Sequence, residues 1–109
     1  MISDSDYAKL ADGCLERAAG WLEGFDADEV DYAAPDGVVK LEFADGVQYV
    51  LNRQAAAHQM WYAAGARAWH YDYDEKTGTW RDDRDGHELF ANVARTLSEK
   101  LGRAVPPPR

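Results

Sequence analysis

The chain is short of cysteine, of long apolar runs and, in its first part, of basic residues, and each shortage excludes a class of protein. Cys14 is the only cysteine among 109 residues, which excludes a structural disulfide and a thiolate-rich zinc or cluster site within one chain. We expect its thiol to lie in the core. No stretch approaches the ~20 apolar residues of a membrane-spanning helix. The acidic start, with Asp4 and Asp6, differs from a signal or transit peptide, so we expect a protein of the reducing cytoplasm.

Basic residues are scarce at the start of the chain. Residues 1–46 carry twelve acidic and three basic side chains, a net charge of −9, whereas residues 47–109 carry eight acidic and nine basic ones, a net charge of +1. An acidic field repels phosphate backbones, so we expect neither nucleic acid nor an anionic membrane as a partner. Such a field attracts cations and basic protein surfaces. The alternative is that the charge serves solubility alone.

The length and the pattern indicate one α+β domain, which we place at residues 1–104, followed by a proline-rich tail at residues 105–109. Apolar residues recur at spacings of three and four from about residue 4 to 24, which predicts a helix with one apolar face. Ser3 or Ser5 can cap its start.

After this helix the period changes to that of strands. The dipeptides Asp36-Gly37 and Asp45-Gly46 predict hairpin turns, because glycine accepts a positive φ. Strands are predicted at residues 29–34, 39–43, 47–51, 69–73 and 79–82. Residues 53–67 are ambiguous, since the alanines favour a helix and residues 59–63 favour a strand.

The last periodic segment predicts a second helix. Asp85 is expected to cap it, with Glu88 three residues on as in a capping box, and Gly102 is expected to end it. Two amphipathic helices flanking a set of strands must bury their apolar faces on one face of the sheet. The other sheet face is then open to water.

Carboxylates form the best candidate site. The chain has no glycine-rich phosphate loop, no nucleophile elbow and no paired-histidine metal helix, so we do not expect an enzyme. Acidic residues of the first helix advance by four and then seven positions and share one stripe, and the first strand must lie beside it. The candidate metal ligands are Asp12, Glu16, Glu23, Asp26, Asp28, Glu29 and Asp31. Hard oxygen ligands without a preformed cage bind divalent and ferric cations weakly and with little selectivity.

A second candidate is Trp61, which falls on a polar-flanked strand. An exposed tryptophan is an interface anchor, because this residue is over-represented at binding hot spots; the alternative is that Trp61 is core. Of the scattered histidines, we expect His70 to face outward from its strand and His87 to be solvated in the first turn of the second helix.

Four sequence blocks carry a resemblance to a known family. They are Leu51-Asn52-Arg53-Gln54, His58-Gln59-Met60-Trp61, Trp69-His70-Tyr71-Asp72 and Trp80. In type and spacing they resemble the signature of the frataxin family, in particular its bacterial CyaY-like branch, over about residues 4–101. The resemblance implies an α/β sandwich in which two helices pack on one face of an antiparallel sheet of about six strands, with residues 58–64 as a strand.

The resemblance also implies a function. It implies weak surface binding of iron, Fe²⁺ or Fe³⁺, by the acidic ridge of the first helix and strand, and it implies binding to the cysteine desulfurase and the scaffold protein of iron–sulfur cluster assembly. Carried over by position, the partner-binding residues are Asn52, Gln54, Gln59, Trp61 and His70. We expect a monomer and leave iron-dependent oligomers open.

The chain departs from the family in the middle of the first helix, where Ala18-Ala19-Gly20 interrupts the acidic run and thins the ridge. Three hypotheses follow. The chain regulates cluster assembly or supplies it with iron; it is an adaptor of the desulfurase complex that binds little iron; or it is a ferroxidase, the only plausible enzyme. Haem binding at His58, His70 or His87 is also left open.

Overall fold

The computed structural model describes residues 2–109. Within this range the chain forms two helices, six strands and a single turn of 3₁₀ helix, which confirms the α+β class. The elements are α1 (Asp4–Leu22), β1 (Val30–Ala33), β2 (Val38–Phe43), β3 (Gln48–Gln54), the 3₁₀ turn (Ala55–Ala57), β4 (Gln59–Ala64), β5 (Arg67–Asp74), β6 (Thr79–Asp82) and α2 (Leu89–Leu101). None of the helices described is long and apolar enough to cross a membrane.

The six strands form one antiparallel sheet in chain order, so each strand pairs with its neighbours in sequence. Gly37 and Gly46 occupy the turns on either side of β2 with φ of +76° and +87°, values that glycine adopts without a steric penalty. At Gly37 an added Cβ would also lie 3.0 Å from Nε of Arg53. The two hairpin turns predicted from the sequence are therefore present.

Both helices pack on the same sheet face, and the core lies between the two layers. Its fully buried side chains include Leu41, Leu51, Met60, Tyr62, Tyr71, Leu89 and Leu97. Burying one aliphatic side chain of this size contributes about 1.5–3 kcal/mol. Among the aromatic residues, Phe43 and Phe90 are buried in this core, whereas Trp21, Phe25 and Trp69 are only partly buried against it.

Cys14 faces this core from α1, as its place on the apolar stripe predicts. The side chain is buried, and burial raises the pKa of the thiol to about 12. The thiol therefore remains protonated at neutral pH.

The ambiguous segment between residues 53 and 67 contains a strand. β3 extends to Gln54, the chain makes a single 3₁₀ turn, and His58 adopts φ +52° before β4 begins at Gln59. β4 pairs on both sides, with β3 and with β5. Sheet pairing thus overrides the helix propensity of the alanines, and the strand implied for this segment is confirmed.

Ser3 caps α1 as predicted, since its Oγ accepts the N–H of Asp6 at 3.1 Å. The prediction that Asp85 caps α2 was wrong. Glu88 is the cap residue, and its carboxylate oxygens accept the N–H groups of Phe90 at 2.8 Å and Ala91 at 3.1 Å. A glutamate is long enough to reach back to these groups, so the residue expected at the third helical position performs the capping itself.

α2 ends at Gly102, whose φ of +69° closes the helix as the sequence predicts. The chain then folds back along the helices. Val105 is buried, and its N–H donates to Ser98 Oγ at 2.9 Å. The carbonyl of Pro108 accepts a hydrogen bond from Arg17 on α1 at 3.0 Å.

Candidate functional site: an acidic edge and an open sheet face

The predicted metal ligands lie on α1, on β1 and on the connection between them. We call this set the acidic edge: Asp12, Glu16, Glu23, Asp26, Asp28, Glu29 and Asp31. Six of them are exposed and Glu29 is half-buried. The Tyr32 hydroxyl donates to Glu23 Oε1 at 2.6 Å, which ties the end of α1 to β1 and raises the pKa of Tyr32.

The connection from α1 to β1 is a pair of tight turns around Asp26. Its carbonyl accepts the N–H groups of Glu29 at 2.9 Å and Val30 at 3.0 Å, and its Oδ1 accepts the N–H of Asp28 at 2.9 Å. This arrangement keeps the carboxylates of Asp26 and Asp28 exposed at the surface.

Asp31 faces a different direction from the helical part of the acidic edge. Val30 is buried and Tyr32 reaches α1, so the alternation along β1 places Asp31 on the sheet face away from the helices. Its cross-strand partner there is Glu42. The acidic edge therefore wraps around the border of the sheet instead of forming one flat row.

Two residues of the acidic edge are paired with arginines of the same chain. Asp12 Oδ1 lies 2.5 Å from Nη1 of Arg53, whose guanidinium also lies 3.5 Å from Asp36. Glu29 is paired with Arg103, and the hydrogen bond from Arg103 lowers the pKa of Glu29. The charge of the acidic edge is thus smaller than its sequence suggests.

The acidic edge contains no preformed cage. Within residues 2–109 the only group of three potential ligands whose atoms lie within 4.8 Å of one another is Asp82, Asp85 and His87, outside the acidic edge. A cation at the acidic edge would therefore be held by one or two carboxylates and by water. Such sites are weak and poorly selective.

The group of Asp82, Asp85 and His87 was not anticipated, and His87 is not the solvated residue that the sequence suggested. Its Nδ1 lies 2.5 Å from Asp85 Oδ1 and its Nε2 lies 2.7 Å from the hydroxyl of Tyr71. Asp82 Oδ2 accepts two backbone N–H groups of the loop. The close spacing of these residues between β6 and α2 was the available signal, and their hydrogen bonds show that they organise this loop.

The open sheet face is the face of the sheet away from the helices, and it carries the five predicted partner-binding residues Asn52, Gln54, Gln59, Trp61 and His70. The register aligns Asn52, Trp61 and His70 across β3, β4 and β5. Trp61 is half-buried, and its ring stacks on His70 with centroids 4.3 Å apart and planes 17° apart. Trp61 is therefore neither core nor fully exposed, but a surface residue held in a fixed orientation.

Gln59 and Gln54 form the next row of the open sheet face. Gln59 Oε1 accepts from Trp61 Nε1 at 3.0 Å, and its Nε2 donates to Asp72 at 3.1 Å and Asp83 at 3.2 Å. This amide fixes the indole and brings two acidic groups beside it. The face thus combines one aromatic surface with polar and acidic groups.

Each histidine is next to a different carboxylate. His58 Nε2 lies 2.6 Å from Asp4, His70 Nδ1 lies 3.9 Å from Asp83, and His87 pairs with Asp85. His58 also stacks on Tyr7, with ring centroids 4.9 Å apart. The three histidines do not share a common ligand site among the residues described.

Together, the helix-on-sheet fold, the acidic edge and the polar open sheet face define a small α+β protein built to present charged and aromatic surfaces. The sequence profile of the frataxin-like domain matches residues 1–103. The chain belongs to the frataxin family. Among its relatives, the iron-sulfur cluster assembly protein CyaY of Dechloromonas aromatica (strain RCB) is 36% identical over 104 residues, which cover 95% of this chain and 97% of the relative.

Solved structures agree with this assignment. The frataxin of Psychromonas ingrahamii, from the CyaY protein family, superposes with a TM-score of 0.84 at 30% identity, covering 95% of this chain and 96% of the other. Trimeric frataxin from the yeast Saccharomyces cerevisiae gives a TM-score of 0.70 at 27% identity, over 84% of this chain and 78% of the yeast chain. The resemblance carried by the sequence blocks is confirmed.

Proposed function

We propose that this protein acts in iron–sulfur cluster assembly in the cytoplasm, where it binds iron weakly at the acidic edge and regulates assembly or supplies it with iron. The observation that carries the proposal is the exposure of Glu16, Glu23, Asp26, Asp28 and Asp31 along one border of a fold whose relative is a cluster assembly protein. The role is binding and positioning, not catalysis.

Iron is the cargo in this proposal. Ferrous and ferric ions accept carboxylate and water oxygens as ligands. Because the carboxylates at the acidic edge are not closely grouped, bound iron keeps most of its water ligands and can leave readily. A protein that passes iron on needs such weak binding.

The partners in this proposal are the cysteine desulfurase and the scaffold protein. A basic surface on either one would be attracted to the acidic edge, and the attraction would weaken with ionic strength because the Debye length is about 8 Å at physiological salt. Trp61 and its polar neighbours would form the second contact. The stacked His70 holds the indole in place before binding, which reduces the entropy lost on association.

Titration with ferrous ion under anaerobic conditions tests the iron site. We expect the amide signals of residues 23–31 to shift or broaden first in ¹⁵N-resolved NMR spectra. Asp28→Lys should weaken the response, whereas Glu75→Lys, an exposed change of equal charge on the β5–β6 turn, should not. Responses confined to residues 82–87, or spread evenly over the surface, would reject an iron site at the acidic edge.

A second candidate function is that of an adaptor of the desulfurase complex with little physiological iron binding. It is favoured by the internal pairing of Asp12 and Glu29 with arginines. Affinity for the desulfurase, measured in the presence of an iron chelator, distinguishes the two candidate functions. Asp28→Lys should lower the affinity without iron if the acidic edge binds protein directly, and an effect that requires added iron would instead favour the iron-dependent role.

A further inference from the structure

Arg103, just beyond the end of α2, lies on the acidic edge. Its Nη2 donates to Glu29 Oε1 at 2.6 Å and its Nε donates to Glu29 Oε2 at 2.9 Å. Both carboxylate oxygens are therefore engaged by one guanidinium, the two-pronged geometry that makes arginine–carboxylate pairs strong and specific. The Arg103 Cζ also lies 5.7 Å from the ring centroid of Phe25, within the range of a cation–π contact.

Glu29 and Phe25 thus form a receptor for a guanidinium, and the chain fills it with its own arginine. Glu29 is the residue at which the connection from α1 joins β1, between Asp28 and the buried Val30. The pairing withdraws this central carboxylate from any cation that approaches Asp26 or Asp28. Arg103 lies 74 residues from Glu29 in sequence and comes from a segment outside the sheet.

We infer that Arg103 is a built-in competitor at the acidic edge, which occupies Glu29 until iron displaces it. The inference rests on the proposed function, since it concerns the same carboxylates. It goes further by assigning a residue that restrains them. Displacement is possible despite the two-pronged geometry, because both side chains are partly exposed and ion pairs at the surface contribute little to stability.

The test compares ferrous ion affinity in Arg103→Ala and Arg95→Ala. Arg95 is a matched control because it also pairs with a glutamate, Glu99, and lies 6.0 Å from the Trp69 ring, but its partners are on α2 and β5 and not on the acidic edge. Both changes remove one positive charge. We expect Arg103→Ala to tighten binding at residues 23–31 by about two- to five-fold, as the loss of an exposed competing pair predicts. Arg95→Ala should change it by much less.

Glu29→Gln in both backgrounds separates competition from a general charge effect. If Arg103 masks Glu29, this change lowers ferrous ion affinity less in the original chain than in Arg103→Ala, where it also removes the gain. Equal effects in the two backgrounds would overturn the inference. Arg103→Lys keeps the charge but cannot hold both oxygens in the same geometry. Its ferrous ion affinity should lie between those of the original chain and Arg103→Ala, and it replaces the alanine variant if that variant is poorly folded.

The outcomes also separate this inference from the proposed function. A response of residues 23–31 in the original chain, with Arg103→Ala no tighter than Arg95→Ala, overturns the competitor and leaves the iron site. A response that appears only in Arg103→Ala supports the competitor. If residues 23–31 respond neither in the original chain nor in Arg103→Ala, both the competitor and the iron site are overturned.

Discussion

Removal of the Tyr71 hydroxyl tests the polar network that joins β5 to α2. Tyr71 is fully buried, its oxygen accepts a hydrogen bond from Asn92 Nδ2 at 2.8 Å, and it lies 2.7 Å from His87 Nε2. Arg95 donates to Asn92 Oδ1 at 2.6 Å and so fixes the orientation of the amide. A neutral His87 that donates from Nδ1 to Asp85 leaves Nε2 free to accept from Tyr71, and every group of the network is then paired.

Tyr71→Phe keeps the ring and leaves the buried Asn92 amide without its acceptor. An unpaired buried polar group costs about 1–3 kcal/mol of unfolding free energy. With a urea m-value of about 1–3 kcal/mol/M for small proteins, the midpoint should fall by an amount on the order of 1 M. The matched control is Tyr73→Phe, because the Tyr73 hydroxyl makes no hydrogen bond within residues 2–109; it should change stability by less than about 0.5 kcal/mol.

Equilibrium urea unfolding followed by tryptophan fluorescence gives both values. In the double variant with Asn92→Leu the two losses should be less than additive, because each change removes the same hydrogen bond. Equal midpoints for Tyr71→Phe and the original chain would refute the view that this network stabilises the fold.

Three further predictions concern other parts of the molecule. Val105→Ala should lower the unfolding free energy by about 1–2 kcal/mol in the same urea assay, because it removes buried methyl groups, whereas Val47→Ala, at an exposed site, should have little effect. Arg103→Gln should raise the pKa of Glu29 toward its ordinary value in a ¹³C carboxyl NMR titration; because the pair lowers that pKa in the folded state, its stabilising effect is present above about pH 4.3 and is lost as the pH falls. Trp61→Ala should weaken desulfurase binding while circular dichroism remains that of the folded chain, and unchanged affinity in surface plasmon resonance would count against the open sheet face as a contact.

Local sequence patterns were sufficient for most of the fold. The spacing of apolar residues places α1 to within two residues of its observed end at Leu22, and the glycines of the two Asp-Gly turns mark the hairpins on either side of β2. These features depend on neighbours close in sequence. β4 is different, because its strand conformation depends on pairing with β3 and β5, and only the family resemblance predicted it.

The candidate site was less predictable because it depends on contacts distant in sequence. The carboxylates of the acidic edge could be named from their spacing, but not the pairing of Glu29 with Arg103 or of Asp12 with Arg53, which join residues 74 and 41 positions apart. The sheet face on which Asp31 lies could be assigned only from the burial pattern of β1 in the structure. The number of acidic residues in the sequence therefore overstates the number of unpaired carboxylates at the acidic edge.

The protonated thiol in the core bears on the proposed binding of ferrous iron in air. Oxidation of ferrous ion by oxygen generates peroxide, and peroxide attacks thiolates at accessible positions. Cys14 is not ionised at neutral pH, and its side chain is buried. Under the proposed function, ferrous iron bound at the surface would therefore not lead to a sulfenic acid or an intermolecular disulfide at the single thiol.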